Sequence, residues 1–152
     1  MQRKYQLMLV EDSEDDVILF ELTLGRSGLH ESFELVLQFP NGEQAIDYFL
    51  NDPKTSHPES FPDILLLDIK LPGRSGFDVL ARFQPLLPRL VIAMFTTSIL
   101  ESDRQKAELL GADLFQSKTF DLAEFSRFLN RLARLADQRR PKGETGSGLL
   151  QI

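Results

Sequence analysis

The chain has 152 residues, which is enough for one ordinary domain with a hydrophobic core. Its 42% hydrophobic and 26% charged residues are typical of a globular protein. A net charge of -6 argues against a general role in nucleic-acid binding, and the absence of cysteine excludes disulfides and Cys-based metal sites. The first apolar run is too short for a signal peptide or a membrane span, so we expect a cytoplasmic protein with no membrane partner.

Five short apolar segments, each followed by a helical pattern, make up most of the chain. The predicted strands are residues 7–10, 33–39, 64–67, 90–95 and 112–116. Four of the predicted helices begin after Ser13, Asn41, Ser75 and Asp121. The remaining one, fourth in chain order, spans roughly residues 99–110. Strands that alternate with helices indicate a parallel sheet covered by helices on both faces.

Polar residues stand just after four of the five predicted strands. Glu11 and Asp12 follow the first strand, Asp68 the third, Thr96 the fourth and Lys118 the fifth. All carboxyl ends of a parallel sheet lie along one edge, which is where open α/β sheets bind ligands. We therefore expect these side chains to form one site.

The chemistry of this predicted site favours a metal ion and a phosphoryl group. Three neighbouring carboxylates repel one another, and a hard cation such as Mg²⁺ relieves that repulsion. An aspartate is also a known covalent acceptor of phosphate. The Lys118 ammonium and the Thr96 hydroxyl are suitable donors to phosphate oxygens.

Taken together, these motifs resemble the receiver domain of two-component response regulators, over about residues 6–137. The residues that carry the resemblance are Glu11 and Asp12, Asp68 within Leu-Leu-Leu-Asp-Ile-Lys-Leu-Pro-Gly-Arg-Ser-Gly, Phe-Thr-Thr-Ser at 95–98, and Lys118. The resemblance implies a flavodoxin-like receiver fold, a doubly wound five-stranded parallel sheet of order 2-1-3-4-5 with five helices. It also implies a receiver domain over residues 1–137 and a tail over 138–152 without an output domain.

The resemblance also implies a role for each site residue. Asp68 would accept a phosphoryl group from a sensor histidine kinase, so the protein would be a phosphoacceptor and not an enzyme acting on other substrates. The implied Mg²⁺ ligands are Asp12, Asp68, the backbone carbonyl of Lys70 and, through water, Glu11. Thr96 and Lys118 would bind the phosphoryl group, and Thr96 with Phe115 would form the switch pair.

A finer resemblance is to single-domain response regulators partnered with bacterial phytochromes. The segments that carry it are residues 10–16, residues 41–50, the proline-bearing loop 51–62 and Thr-Thr-Ser at 96–98. It implies a phytochrome-type kinase as partner and a homodimer formed through the fourth helix, the fifth strand and the fifth helix. We expect Leu114, Phe115 and Phe125 at that interface.

Two positions depart from the usual receiver pattern. Thr119 follows Lys118 at a position where the family usually has proline. Lys70 lies two residues after Asp68, where its side chain could shield an acyl phosphate or pair with Glu11. His30 and His57 lie away from the strand ends and are interpreted as surface residues.

Three other functions compete with the receiver interpretation. A phosphatase of the haloacid dehalogenase type needs a second acid two residues after the nucleophile, where this chain has Lys70. A nucleotide-binding switch needs a glycine-rich loop, which does not precede Lys118. An interaction module that keeps the receiver fold and works without phosphate remains the open alternative.

Overall fold

Every predicted strand is present in the computed structural model, which describes residues 3–86 and 89–140, although several strand ends are slightly shifted. The strands are β1 (Tyr5–Val10), β2 (Phe33–Phe39), β3 (Ile64–Leu67), β4 (Val91–Thr96) and β5 (Leu114–Ser117). The helices are α1 (Glu14–Arg26), α2 (Gly42–Ile46), α3 (Gly76–Phe83), α4 (Glu101–Leu109) and α5 (Leu122–Arg139).

The sheet has the order β2-β1-β3-β4-β5, and all four neighbouring pairs are parallel. This confirms the predicted doubly wound topology. β1 and β3 are neighbours at the centre, and the chain runs from β1 outward to β2 before it returns to β3. The loops after β1 and β3 therefore diverge, which leaves a crevice at the carboxyl edge of the sheet.

Two hydrophobic layers sandwich the sheet. Ile64 and Leu66 of β3 face a layer that contains α1 and α5, whereas Leu65 and Leu67 face a layer that contains α2, α3 and α4. All four side chains are fully buried. Burial on both faces explains why β3 is a continuous apolar run without alternation.

Two helices differ in detail from the sequence-based expectation. α2 ends at Ile46 and continues as a π-helical turn over Asp47–Asn51. α4 begins at Glu101, so Ile99 and Leu100 precede the helix and are exposed. The Ser98 hydroxyl accepts a hydrogen bond from the Leu100 N–H, and this bond stabilises a turn over the residues that precede α4.

The expectation that Phe125 lies at a dimer interface is wrong. Its side chain is fully buried, and its ring packs edge-on against Phe20 of α1 with 5.3 Å between the centroids. The apolar stripe of α5 covers α1 and the sheet, since Phe128, Leu129 and Leu132 are buried in the same layer. These apolar residues of α5 are therefore covered within one chain.

The carboxyl-terminal end of α5 contacts residues at the amino-terminal ends of the strands. Arg139 pairs with Asp113 and donates to the Leu90 carbonyl at 3.2 Å. Arg140 lies 4.6 Å above the Tyr5 ring and pairs with Asp63 at 3.5 Å. α5 therefore runs past the predicted domain end at residue 137, and residues 141–152 of the predicted tail lie outside the described residues.

Within residues 3–86 and 89–140, no helix is both long enough and apolar enough to cross a bilayer.

Candidate functional site

Three carboxylates meet at the carboxyl edge of the sheet. Glu11 and Asp12 leave the end of β1, and Asp68 leaves the end of the adjacent β3. One oxygen atom from each of the three lies within 4.8 Å of the others. Glu11 and Asp68 are buried and Asp12 is exposed, so the cluster opens to solvent on one side.

The loop after β3 fixes the position of Asp68. The Ile69 N–H donates to Asp68 Oδ1 at 2.7 Å, and the Gly76 N–H donates to the Ile69 carbonyl at 2.7 Å. A side chain at position 76 would collide with the Asp68 carbonyl, so only glycine permits this close approach. The capping box between Ser75 and Asp78 then starts α3 directly behind the loop.

The Lys118 ammonium lies between three carboxylates. Its Nζ is 2.6 Å from Glu11 Oε1, 2.7 Å from Asp16 Oδ2 and 3.0 Å from Asp68 Oδ2. The side chain is only 7% exposed. β5 positions the lysine, because the Lys118 N–H donates to the Thr96 carbonyl at 2.7 Å and extends the pairing of β4 and β5 beyond Ser117.

Burial and ion pairing act in opposite directions on the two most enclosed charges. Burial raises the pKa of the Glu11 carboxyl, and hydrogen bonds from Lys118 and from the Ser13 N–H offset part of that rise. Burial alone would lower the pKa of the Lys118 ammonium, but its hydrogen bonds to Asp16, Glu11 and Asp68 outweigh burial and raise that pKa. Lys118 is therefore a permanent cation that neutralises the buried end of the cluster.

Sequence reasoning missed Asp16 as a member of this site. In the sequence, Asp16 is one of three acids in the first turn of α1, where negative charge suits the helix dipole. The contact to Lys118 joins residues 102 positions apart, so it depends on the packing of α1 against the sheet edge. No local pattern in the sequence carries that information.

Thr96 and Phe115, the predicted switch pair, lie on neighbouring strands. The Thr96 side chain is buried, and its Oγ1 accepts a hydrogen bond from the Ser98 N–H at 3.4 Å. Phe115 is half-buried, and the Arg104 guanidinium of α4 lies 4.8 Å above its ring. The same guanidinium donates to the Phe115 carbonyl at 3.4 Å, so Arg104 attaches α4 to β5 at this residue.

The remaining predicted positions lie at the rim or outside the site. Lys70 is exposed beside Asp68, and it is Lys118, not Lys70, that pairs with Glu11. The Thr119 hydroxyl, at the position where receivers usually have proline, accepts a hydrogen bond from the Asp121 N–H at 3.3 Å. His30 and His57 are exposed, as expected.

The donor set of the acidic cluster fits a hard divalent cation. Carboxylate oxygens from Glu11, Asp12 and Asp68 approach one another closely, and the exposed Asp12 leaves the cluster open to an entering ion and its water ligands. The fold thus brings together a candidate cation site, a buried aspartate and a lysine.

The family model of the response regulator receiver domain matches residues 7–130, which include the acidic cluster, Thr96 and Lys118. The chain belongs to this family. The resemblance inferred from the motifs is thereby confirmed.

Two curated relatives are similar to this chain in sequence. The chain is 30% identical over 115 residues to the chemotaxis protein CheY of Halobacterium salinarum, covering 76% of this chain and 85% of CheY. It is 27% identical over 139 residues to the alkaline phosphatase synthesis transcriptional regulatory protein PhoP of Bacillus subtilis, covering 91% of this chain. The chain spans only 52% of the length of PhoP.

Similar solved structures include two response regulators of phytochromes and a further response regulator, Rcp1. The phosphorylated cyanobacterial phytochrome response regulator RcpA has a TM-score of 0.70 and 26% identity, covering 91% of this chain and 98% of RcpA. The bacteriophytochrome response regulator RtBRR has a TM-score of 0.67 and 32% identity, covering 86% and 78%. The Mn²⁺-bound response regulator Rcp1 has a TM-score of 0.65 and 27% identity, covering 84% and 91%.

The role of Lys118 as counter-ion predicts a loss of stability when its charge is removed. Lys118→Met keeps the length of the side chain but leaves the buried Glu11 and Asp68 without their cation. We expect the free energy of unfolding to fall by about 3 kcal/mol in chelator at neutral pH. Urea denaturation followed by circular dichroism measures it, with the exposed Lys70→Met as the matched control, which should unfold like the parent chain.

The same variant should regain stability in mild acid. A carboxyl whose folded pKa is raised contributes stability below its ordinary value of 4.5, and that contribution is lost as the pH rises through the folded pKa. Loss of the Lys118 hydrogen bond raises the pKa of Glu11 further, so the stability deficit of Lys118→Met should shrink as the pH is lowered from neutrality toward the ordinary value. A deficit that stays constant or grows on acidification would contradict the assignment of Lys118 as counter-ion.

Proposed function

We propose that this protein is a single-domain response regulator in which Asp68 accepts a phosphoryl group from a sensor histidine kinase. The observation that supports this most strongly is the placement of Asp68, which is buried at the end of the central strand between a fixed N–H donor and the Lys118 ammonium. Membership of the receiver family supports the same reaction.

The transfer needs little covalent chemistry from the protein. An Asp68 oxygen attacks the phosphorus of the phosphohistidine, and the new O–P bond forms while the N–P bond breaks. The imidazole nitrogen keeps the electron pair and takes up a proton. Lys118 stabilises the negative charge of the phosphoryl oxygens, and Thr96, the last residue of the neighbouring β4, would donate its hydroxyl to one of them.

The reaction requires Mg²⁺ in this proposal. Asp12, Asp68 and the backbone carbonyl of Lys70 would hold the ion, and Glu11 would contact it through water. A bound Mg²⁺ supplies positive charge that offsets the carboxylates and the incoming phosphoryl group. The three clustered carboxylates support this assignment, as does the Mn²⁺ bound in the neighbour Rcp1.

The proposed partner is a phytochrome-type kinase in the cytoplasm. The support is the similarity to RcpA and RtBRR, which are response regulators of phytochromes by name. An open concave surface of about 430 Å³ lies beside the acidic cluster and is lined partly by Asp12, Val17 and Ile18. Its apolar side is suited to contact a partner that presents a histidine to Asp68.

If Asp68 is the phosphoacceptor, phosphate labelling should depend on its carboxylate. The parent chain should acquire acid-labile, hydroxylamine-sensitive phosphate from acetyl phosphate or a phytochrome kinase, and Asp68→Asn should acquire none. Asp15→Asn, an exposed acid on α1, is the matched control and should label normally. Excess chelator should stop labelling of the parent chain, because Mg²⁺ would then be removed.

Labelling that persists in Asp68→Asn would show that another residue is the acceptor. Full labelling in chelator would contradict the metal requirement. A parent chain that no donor labels would favour the alternative function, an interaction module with a receiver fold that works without phosphate.

We further propose that Thr96 and Phe115 report the phosphorylated state. When the Thr96 hydroxyl turns toward the phosphoryl group, it leaves space into which the Phe115 ring can move, which shifts an existing equilibrium. Phe115 has no hydroxyl, so its response depends on packing and on the Arg104 guanidinium that covers its ring.

The switch predicts a spectroscopic change at Phe115. With Mg²⁺ and beryllofluoride, a stable mimic of the phosphoryl group, the aromatic NMR signals of Phe115 should shift in the parent chain and stay in place in Thr96→Val. Val matches Thr in shape but lacks the hydroxyl. Unchanged Phe115 signals in the parent complex would contradict the switch, and equal shifts in both chains would contradict the role of the hydroxyl.

We also propose a homodimer through α4, β5 and α5, with Leu114 and Phe115 near its centre. Both side chains are partly exposed on the edge strand of the sheet, which needs cover. A groove of about 220 Å³ crosses this face and is lined by side chains of both charges, including Arg104, Glu108 and Arg131. Opposite charges on one face suit a two-fold symmetric contact, because basic side chains of one subunit can meet acidic side chains of the other.

The dimer predicts a mass change that depends on this face. Light scattering at micromolar concentration with Mg²⁺ and beryllofluoride should give the mass of a dimer. Arg131→Glu should shift the chain toward monomer, because it places an acid beside Glu108 and Asp113 of the groove. Arg134→Glu is the matched control, since Arg134 is exposed on α5 but does not line the groove. A monomeric parent chain with and without the mimic would contradict the dimer.

A further inference from the structure

Asp16 is the one partner of Lys118 that lies outside the acidic cluster. Its Oδ2 is 2.7 Å from Lys118 Nζ, yet it does not belong to the group of oxygens from Glu11, Asp12 and Asp68 that lie within 4.8 Å of one another. Lys118 therefore sits between two sources of negative charge, the cluster on one side and Asp16 on the other.

Carboxylates already surround the Lys118 ammonium closely in this structure. An ammonium group has three N–H donors and no acceptor. Nζ donates hydrogen bonds to Asp16 at 2.7 Å and to Asp68 at 3.0 Å, and the Glu11 carboxylate pairs with the same nitrogen at 2.6 Å. A phosphoryl oxygen on Asp68 would therefore compete with these carboxylates for the Lys118 ammonium.

The three partners differ in what their release would cost. Glu11 is 3% exposed, so water could not solvate its carboxylate if the ammonium moved away. Asp68 itself carries the phosphoryl group and keeps that group next to Lys118. Asp16 is 29% exposed, so water can solvate its carboxylate once Lys118 has moved away.

We infer that Asp16 is a positioning residue that competes with the phosphoryl group for the Lys118 ammonium and so favours the unphosphorylated state. This inference rests on the proposed function of Asp68. Asp16 acts only through Lys118 and needs no contact with the phosphoryl group. The competition lowers the occupancy of the phosphorylated state at a given rate of supply by the kinase.

Local structure holds the Asp16 carboxylate in this place. Asp16 is the third residue of α1, and its N–H donates to the Ser13 hydroxyl at 3.2 Å. The preceding residue, Asp15, has the same charge on the same turn but is exposed. Asp15 therefore provides a control for the effect of charge without the contact.

The affinity for beryllofluoride at saturating Mg²⁺ tests the inference directly. Asp16→Asn keeps the size of the side chain but removes its charge, so Lys118 should bind the mimic more readily. Since a partly exposed ion pair is lost, we expect Asp16→Asn to bind about fivefold more tightly than the parent chain in calorimetry. Asp16→Glu, which restores a carboxylate, should return toward the parent affinity, and Asp15→Asn should match it.

Each contrary result has a distinct meaning. Unchanged or weaker binding by Asp16→Asn, with a parent chain that binds normally, would overturn the inference and leave the proposed function intact. Equal tightening by Asp15→Asn would also overturn it, because the effect would then come from net charge and not from the contact. A parent chain that binds no beryllofluoride at saturating Mg²⁺ would contradict the proposed function, and the inference would fall with it.

A second measurement separates positioning from a merely structural role. Without the mimic, the Lys118 ammonium protons should exchange slowly with water in the parent chain, because three partners hold them. Loss of the most exposed partner in Asp16→Asn should accelerate this exchange in ¹⁵N NMR spectra, whereas Asp15→Asn should not. Exchange that is equally slow in Asp16→Asn would overturn the inference.

Discussion

The site depends on one electrostatic constraint, the burial of carboxylates at the end of the central strands. Glu11 and Asp68 are almost inaccessible to water, and two buried anions at this distance repel each other strongly. Lys118 satisfies the constraint with a single ammonium that contacts both. The same need for positive charge makes the cluster suitable for a divalent metal, which in the proposed reaction would also offset the negative charge of the phosphoryl group.

The fold meets this constraint through its topology. β1 and β3 lie side by side, which places Glu11 and Asp68 at one point, and β5 lies two strands beyond β3. Lys118 follows β5, and its side chain extends across the carboxyl ends of the strands to Glu11 and Asp68. Thr96 lies on the intervening β4, and Phe115 lies on β5. Lys118 therefore connects Asp68 to β5, and Arg104 connects β5 to α4.

Much of this arrangement could be predicted from sequence because it follows from periodicity and strand order. The apolar run of β3 indicated a strand buried on both faces, and the polar residues after four strands indicated a shared edge. Phe125 was misjudged because an apolar stripe shows that a helix is covered but not by what, and here Phe20 and the sheet cover it. Asp16 was missed because its contact depends on how α1 packs beside Lys118.

The most direct test of the account is a crystal structure of the chain with Mg²⁺ and beryllofluoride. The account predicts beryllofluoride on Asp68, Mg²⁺ held by Asp12, Asp68 and the Lys70 carbonyl, and Lys118 Nζ within hydrogen-bonding distance of a fluorine atom. Asp16 should then have lost its 2.7 Å contact with Lys118. A structure in which the mimic binds elsewhere, or in which Lys118 keeps all three carboxylates and makes no contact with the mimic, would contradict it.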